Sequence, residues 1–488
     1  MDAFSDFLST LDSLVWGPFF LIPLLLGTGL WLTIRLSGLQ FRKLGSALRL
    51  ALIDRSDEGV ESDHGDIPQY QALTTALAAT VGTGNIVGVA TALSVGGPGA
   101  LFWMWVTGLL GMASKYSEAF LAVRFRHRDV SGEVTGGPQY YLKDGIGGKF
   151  GTFLATFFSI AAVIATFGIG NGTQANSIAG NVENSFGVPT WITGVVMTII
   201  TLVVLVGGIK SIGRVTAAFV PVMIILYVGA SLVLLGMNLP AIPGAFEQVF
   251  SQAFTGSAAT GGFIGSTIMI AVQMGVARGI FSNESGMGSA AIAAAAAKTS
   301  HPARQGLVSM TQTFIDTIIV VTMTGLVLVI TGQWAGGKAS ASILTSKAFD
   351  AGLGVSWGHY IVTIALVMFA YSTILGWCYY GERNIEKLFG RRFVMPYRVV
   401  FSLIVYVGCV TSLDVVWTFS DLANGLMAAP NLIGLLIMSG LIARETKYYL
   451  DHDPHLRANK DQVDDFMVGR PGAIDAHWDA VKHESNHR

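Results

Sequence analysis

Apolar runs of roughly twenty residues, separated by short polar stretches, recur along most of the chain. A run of that length crosses the hydrocarbon core of a bilayer as a helix. Eleven such spans are predicted, beginning near Ser13, Gln69, Ala100, Gly151, Thr190, Val215, Gly262, Ala303, Trp357, Val394 and Val415. The polar positions test the count, because Lys and Arg concentrate in cytoplasmic loops. Arg35, Arg42, Lys43, Arg49 and Arg55 follow the first span, and Arg124, Arg126, Arg128, Lys143 and Lys149 the third. Lys210 and Arg214 follow the fifth, and Lys298 and Arg304 the seventh. Arg383, Lys387, Arg391, Arg392 and Arg398 follow the ninth, and Arg444 and Lys447 the eleventh. The intervening loops carry almost none, Lys338 and Lys347 excepted. Every odd-numbered span then ends inside, which puts the N-terminus outside and the C-terminal tail in the cytoplasm.

Without the first span, the other ten divide evenly, and a five-span half must enter the membrane from the side opposite to its partner. The pattern predicts an N-terminal helix and linker (1–66), two inverted repeats (67–240 and 241–443) and a tail (444–488). The first helix of each half is interrupted by glycine: Val81-Gly82-Thr83-Gly84-Asn85 in one, Gln273-Met274-Gly275-Val276-Ala277-Arg278-Gly279 in the other. Glycine costs about 1 kcal/mol against alanine within a helix, and backbone groups freed in lipid must find partners. Paired interruptions in two halves point to a transporter's substrate and ion site near the bilayer midplane. Both breaks also spell G-x-x-x-G (Gly84 to Gly88, Gly275 to Gly279), which serves close helix packing equally well. The pairing, the polar Asn85 and Gln273, and an Arg278 at membrane depth favour a site, although Arg278 could instead lock to Asp316 or Glu284.

Composition agrees with a polytopic all-α membrane protein: 52% hydrophobic and only 12% charged. A net charge of −1 leaves no basic stripe for nucleic acid. Cys378 and Cys409 fall in apolar spans and read as buried free thiols. Met1-Asp2-Ala3-Phe4-Ser5-Asp6 lacks the basic region of a cleaved signal peptide, so the first span is expected to be retained. Lys338–Leu353 is too long for a tight turn and reads as a loop or a short external helix. Residues from Arg444 onward read as a solvated tail with a His- and Asp-rich end.

Three segments carry a resemblance. Gly96-Gly97-Pro98-Gly99-Ala100-Leu101-Phe102-Trp103-Met104-Trp105-Val106-Thr107-Gly108-Leu109-Leu110-Gly111 resembles the signature of the sodium:alanine symporter family. Gly136-Gly137-Pro138-Gln139-Tyr140-Tyr141-Leu142 and Gly279-Ile280-Phe281-Ser282-Asn283-Glu284-Ser285-Gly286 are similar to other segments of that family. The resemblance implies a LeuT-type fold with two unwound helices, in a plasma membrane (bacterial inner membrane), co-transporting alanine or glycine with Na⁺. It further implies that the N–H groups of Thr83 and Gly84 face the substrate carboxylate, with Asn85 beside them. Carbonyls near Thr80 and in the second break (Gln273, Gly275, Gly279) would take the ammonium. Asn171 and Gln174 would form polar walls, and Phe167 an apolar one. Sodium, a hard cation seeking oxygen, would lie between Ser372 and Thr373 and the carbonyls of Ala78, Val81 and Phe369.

Lys115, Tyr116 and Glu118 at the end of the third span read as snorkelling or a local ion pair, with gating as the alternative. Proton coupling is the main rival to sodium, with Asp316 as its best candidate. No histidine falls in the middle of a span, and the spans show no nucleophile–base or metal constellation, so an enzyme is not expected.

Overall fold

The computed structural model describes residues 10–54 (except 12 and 18), 65–255, 264–337, 341–411 and 414–469, the side chains of 264–267 and 414–420 excepted. The chain opens with α1 (Leu21–Arg35) and α2 (Leu44–Leu52). A first bent pair follows, α3 (Gln69–Thr80) and α4 (Gly84–Gly96), turned by 50° at residues 81–83. Then come α5 (Gly99–Arg124), α6 (Gly148–Phe186), α7 (Thr190–Val206), α8 (Gly208–Met237) and α9 (Ile242–Thr255). The second half holds α10 (Ile264–Asn283), α11 (Ser289–Ala295), α12 (Pro302–Ile330), α13 (Ala341–Leu353), α14 (Gly358–Phe389), α15 (Val394–Val410), α16 (Asp414–His452) and α17 (Lys460–Met467).

Among the described residues, six helical stretches are long and apolar enough to cross a membrane, and seven if α3–α4 is one bent span. Helices α1 and α7 are apolar but have only 15 and 17 residues. Large apolar side chains point outward from α7, α8 and α15, among them Val203, Ile225 and Leu403. The interior contrasts with that surface, because Lys115, Glu118, Glu284, Asp316 and Arg383 are all buried. Two residues of parallel strand, β1 (Ile67–Pro68) with β2 (Ala297–Lys298), tie the entry of α3 to the exit of α11.

Two expectations change here. Helix α10 runs unbroken through Gln273–Gly279, so the predicted second break is not there. Its glycines serve packing: a Cβ on Gly275 would lie 2.4 Å from the Ala100 carbonyl oxygen, and one on Gly279 2.4 Å from the Thr107 hydroxyl. The chain unwinds instead at residues 284–288, where Glu284, Gly286 and Gly288 take φ of 54°, 89° and 79°. The solvated tail also starts later than Arg444. Helix α16 continues to His452, and α17 folds back so that Phe466 and Tyr449 pack edge-on, while His301 stacks 3.8 Å from Tyr449. Residues 338–340 and 470–488 lie outside the described residues, but 341–353 is the short helix α13.

Candidate functional site

The first break is where the pattern placed it. Gly82 is required by close approach, since a Cβ there would sit 2.4 Å from the Thr373 hydroxyl of α14 and 3.1 Å from Gln174 Oε1 of α6. At Gly84 a Cβ would meet Phe281 and the Ser282 backbone of α10, each at 3.0 Å. Unwinding frees backbone N–H groups that need acceptors. Gly82 N–H donates to Asn85 Oδ1 at 2.9 Å, and Thr83 N–H to Gln174 Oε1 at 3.2 Å. Side-chain amide oxygens thus stand where the oxygens of an anion could stand. Among the described residues the buried Thr83 hydroxyl has no partner.

Beside this break lies a small cavity, in this state with room for about one water molecule. Thr80, Gly82, Gly84, Ile169, Gln174, Phe281, Glu284, Thr373, Trp377 and Asn424 are among the residues that line it. The polar walls come from both breaks, α6, α14 and α16. Of the residues expected there, Thr80, Gly84, Gln174 and Thr373 line the cavity, and Thr83 and Asn85 flank it. Phe167 and Asn171 do not line it. A π-helical turn at Gly168–Gly172 shifts the register of α6, so Asn171 donates to the Phe401 carbonyl at 2.7 Å while Gln174 faces inward. Phe167 packs on Tyr397 and Phe401. Gln273 is also elsewhere, donating to the Trp16 carbonyl at 3.3 Å. With Gly275 and Gly279 it leaves the candidate site. Arg278 pairs with Asp421 at 3.1 Å rather than with Asp316 or Glu284.

Five oxygens converge as expected next to the cavity. Thr373 Oγ1 lies 3.0 Å from the Ala78 carbonyl, 3.5 Å from that of Val81 and 3.0 Å from that of Phe369. Ser372 Oγ lies 3.3 Å from the Ala78 carbonyl and 2.8 Å from that of Phe369. The Ala78 and Val81 carbonyls are available because the helix ends there and the Gly82 N–H turns to Asn85 Oδ1; that of Phe369 accepts from Ser372 and Thr373 of its own helix. Hydroxyls that now donate to these carbonyls can rotate and present lone pairs, giving an all-oxygen cluster suited to a hard cation.

The pattern placed none of the other residues in the cavity wall, naming Glu284 only as a partner for Arg278 and Asp316 as that or as a proton carrier. Glu284, Phe281, Trp377 and Asn424 line the cavity, and Asp316 sits just behind it. Asp316 accepts from Asn85 Nδ2 at 2.7 Å, Ser282 Oγ at 2.8 Å and Thr317 Oγ1 at 2.9 Å, all neutral donors. The second break is held from outside itself. Lys115 Nζ donates to the Glu284 carbonyl at 2.9 Å and lies 3.7 Å from Glu118. Glu118 Oε1 accepts from the Gly288 N–H at 2.9 Å and from Asn431 at 2.8 Å, and Asn431 also donates to the Gly286 carbonyl at 2.8 Å. Tyr141 donates to Asn431 in turn. These residues pin the backbone of residues 284–288, so the Lys115–Glu118 pair is structural support for the second break.

At the far end of α14, Arg383 and Arg391 are shared among Asp129, Glu133 and Glu386, and Arg398 holds Glu382 with two contacts of 2.7 and 2.9 Å. Two literal enzyme motifs carry no site. Gly354-Val355-Ser356-Trp357-Gly358 spells G-x-S-x-G but joins two helices, with no strand before it. His483-Glu484-Ser485-Asn486-His487 spells H-E-x-x-H outside the described residues.

Comparison with known proteins agrees with this geometry. Residues 1–464 match the model of the family described as the sodium:alanine symporter family. The sodium/alanine symporter AgcS of Methanococcus maripaludis is 52% identical over 450 residues, covering 91% of this chain and 97% of that protein. The probable sodium/glutamine symporter GlnT of Bacillus subtilis is 34% identical, covering 93% of this chain and 91% of its own. Among solved structures, MhsT in complex with L-phenylalanine superposes with a TM-score of 0.53 at 13% identity, over 78% of this chain and 97% of that one. A manganese transporter of Eremococcus coleocola gives the same TM-score at 16% identity, over 87% and 96%. The fold is therefore LeuT-like, and the relatives are transporters and not enzymes. With a family match that spans nearly its whole length and a relative identical at half its positions, this chain belongs to the sodium:alanine symporter family.

Proposed function

We propose that the protein carries alanine or glycine together with Na⁺ by alternating access, with the substrate in the cavity beside the first break and the ion among Ala78, Val81, Phe369, Ser372 and Thr373. The observation that carries this reading is the convergence of those five oxygens against a break whose freed N–H groups are held by side-chain amides. A substrate carboxylate would replace Gln174 Oε1 on the Thr83 N–H and take up the unpartnered Thr83 hydroxyl. In this state the cavity has little free room, so the substrate enters by displacing the Gln174 amide, and a small side chain asks for the least displacement. The GlnT relative, described as taking glutamine, implies that the same scaffold widens in other members.

The frame of this reading is eleven spans, a single N-terminal helix plus two inverted repeats, with α3–α4 and α10–α11 as corresponding broken helices. The N-terminus lies outside the plasma membrane, and the outward apolar faces of α7, α8 and α15 meet lipid. One charge crossing 100 mV releases about 2.3 kcal/mol. A tenfold Na⁺ gradient adds about 1.4 kcal/mol. Together, about 3.7 kcal/mol concentrates a zwitterion by several hundredfold, so one coupled Na⁺ suffices for scavenging.

Proton coupling is supported by a different observation, the burial of Asp316 among neutral donors only. Uptake of labelled alanine into proteoliposomes separates the two. Sodium coupling predicts saturable uptake that needs an inward Na⁺ gradient and persists when the proton gradient is collapsed. Uptake that follows the pH gradient and ignores Na⁺ would transfer the coupling role to Asp316.

A further inference from the structure

Glu284 is a charged side chain in the wall of the cavity, and it is 2% exposed. Its backbone adopts a left-handed φ of 54°, which costs a non-glycine residue energy and persists only where surroundings enforce it. Lys115 enforces it through the Glu284 carbonyl, and the rest of that ammonium's charge is committed to Glu118. The Glu284 carboxylate is left with neutral donors, the Ser289 hydroxyl at 2.5 Å and the indole of Trp377, itself a cavity-wall residue. Among the described residues it forms no ion pair within 4.0 Å. A buried carboxylate with no cation in direct contact, only the Lys115 ammonium acting from farther off, is costly, and a cationic ligand offsets that cost.

A second observation points the same way. Asn424 of α16 is 1% exposed and lines the same cavity, and among the described residues its Oδ1 has no hydrogen-bond partner. A buried orphan acceptor calls for a donor. The cavity is thus dipolar. Donors gather at the first break, as the Thr83 N–H and hydroxyl, and acceptors gather at the second break and α16, as Glu284 and Asn424.

We infer that the Glu284 carboxylate and the Asn424 side-chain carbonyl accept the protonated α-amino group of the substrate, making Glu284 a specificity-determining residue. The inference rests on the reading of the cavity as the amino-acid site. It selects zwitterions over simple carboxylates, which leave Glu284 uncompensated. It also selects against acidic side chains, whose second carboxylate would face that of Glu284.

The test uses the full-length protein in detergent with saturating Na⁺, reading thermal stabilisation while titrating alanine or propionate, which is alanine without its amino group. For the parent protein, alanine should bind about 100-fold or more tightly than propionate. Glu284→Gln keeps the hydrogen-bond acceptor and removes the charge. It should weaken alanine by about tenfold or more, leave propionate unchanged or tighter, and retain stabilisation by Na⁺ alone. Unchanged alanine affinity, or equal weakening of both ligands, overturns the inference. Should Glu284→Gln not fold, Asn424→Ala carries the same comparison: selective loss of alanine supports it and parallel loss overturns it. A parent protein that propionate stabilises as well as alanine does sinks the ammonium subsite and leaves the amino-acid site standing. One that alanine never stabilises at any Na⁺ concentration removes the underlying reading as well.

Discussion

Two glycine-rich segments that look alike in the chain, 81–88 and 273–279, do opposite things. Around Gly82 and Gly84 the helix comes apart, because groups from α6, α10 and α14 press within 3.1 Å of where a Cβ would be, and Gln174 of α6 and Asn85 of α4 supply acceptors for the released N–H groups. Around Gly275 and Gly279 the helix stays whole, and the missing Cβ atoms let α5 lie directly against it. The second break falls one to two turns later, at a glutamate, and a lysine, a glutamate and an asparagine from other helices hold it open. Glycine therefore permits unwinding without causing it. What decides is whether partners for the freed backbone stand opposite, and that is a property of the packed molecule.

The largest expected effect breaks the first segment. Gly84→Leu thrusts a side chain at Phe281 and Ser282, and it should abolish alanine binding while the protein still folds, as read by size-exclusion profile and a binding assay. Retained affinity would remove the first break from the substrate site. The matching change in the other segment, Gly275→Ala, drives a Cβ toward the Ala100 carbonyl and should cost about 1–3 kcal/mol of stability as overpacking. Its alanine affinity should stay within about twofold of the parent, a difference of about 0.4 kcal/mol. A selective loss of affinity without a drop in Tm would mean that 273–279 belongs to the site after all.

The smallest effect lies beyond the second break, where β2 leads into α12. His301 caps α12 through its Nδ1, which accepts from the Ala303 N–H at 3.0 Å, and burial pushes its pKa down to about 3. The ordinary value is about 6.5, so the unfolded chain takes up a proton first as pH falls. The stabilisation is complete above pH 6.5 and is lost progressively toward pH 3. His301→Asn, which keeps a capping oxygen, should flatten the acid limb of a Tm-versus-pH curve. An unaltered limb would assign acid sensitivity to other groups.

These contrasts mark what was legible. Long apolar runs marked the long helices, and the resemblance, not the pattern alone, pointed to Phe369, Ser372 and Thr373 opposite Val81–Asn85, whose oxygens do come together. The cavity's other wall was not legible. Glu284, Trp377 and Asn424 meet only through tertiary packing, and a π-helical turn in α6 exchanges Asn171 for Gln174 without any mark in the pattern. Charge counting was likewise blind to pairing. Arg383, Arg391 and Arg398, read as topology markers, are bound up with carboxylates, and Lys43 and Arg49 donate to the backbone that joins α16 to α17. The tail was misplaced for the same reason, since its docking surface is built from distant loops.

The central claim is that the first break and the hydroxyls of α14 form one coupled site. By linkage, an ion held beside the substrate must tighten it, and the substrate must tighten the ion by the same factor. The most direct measurement is alanine affinity as a function of Na⁺ in the parent protein and in the double variant Ser372→Ala with Thr373→Ala. The account predicts that Na⁺ tightens alanine in the parent, and that the variant needs about tenfold more Na⁺ for the same effect, on the order of 1.4 kcal/mol. Identical sodium dependence in the two proteins would contradict it.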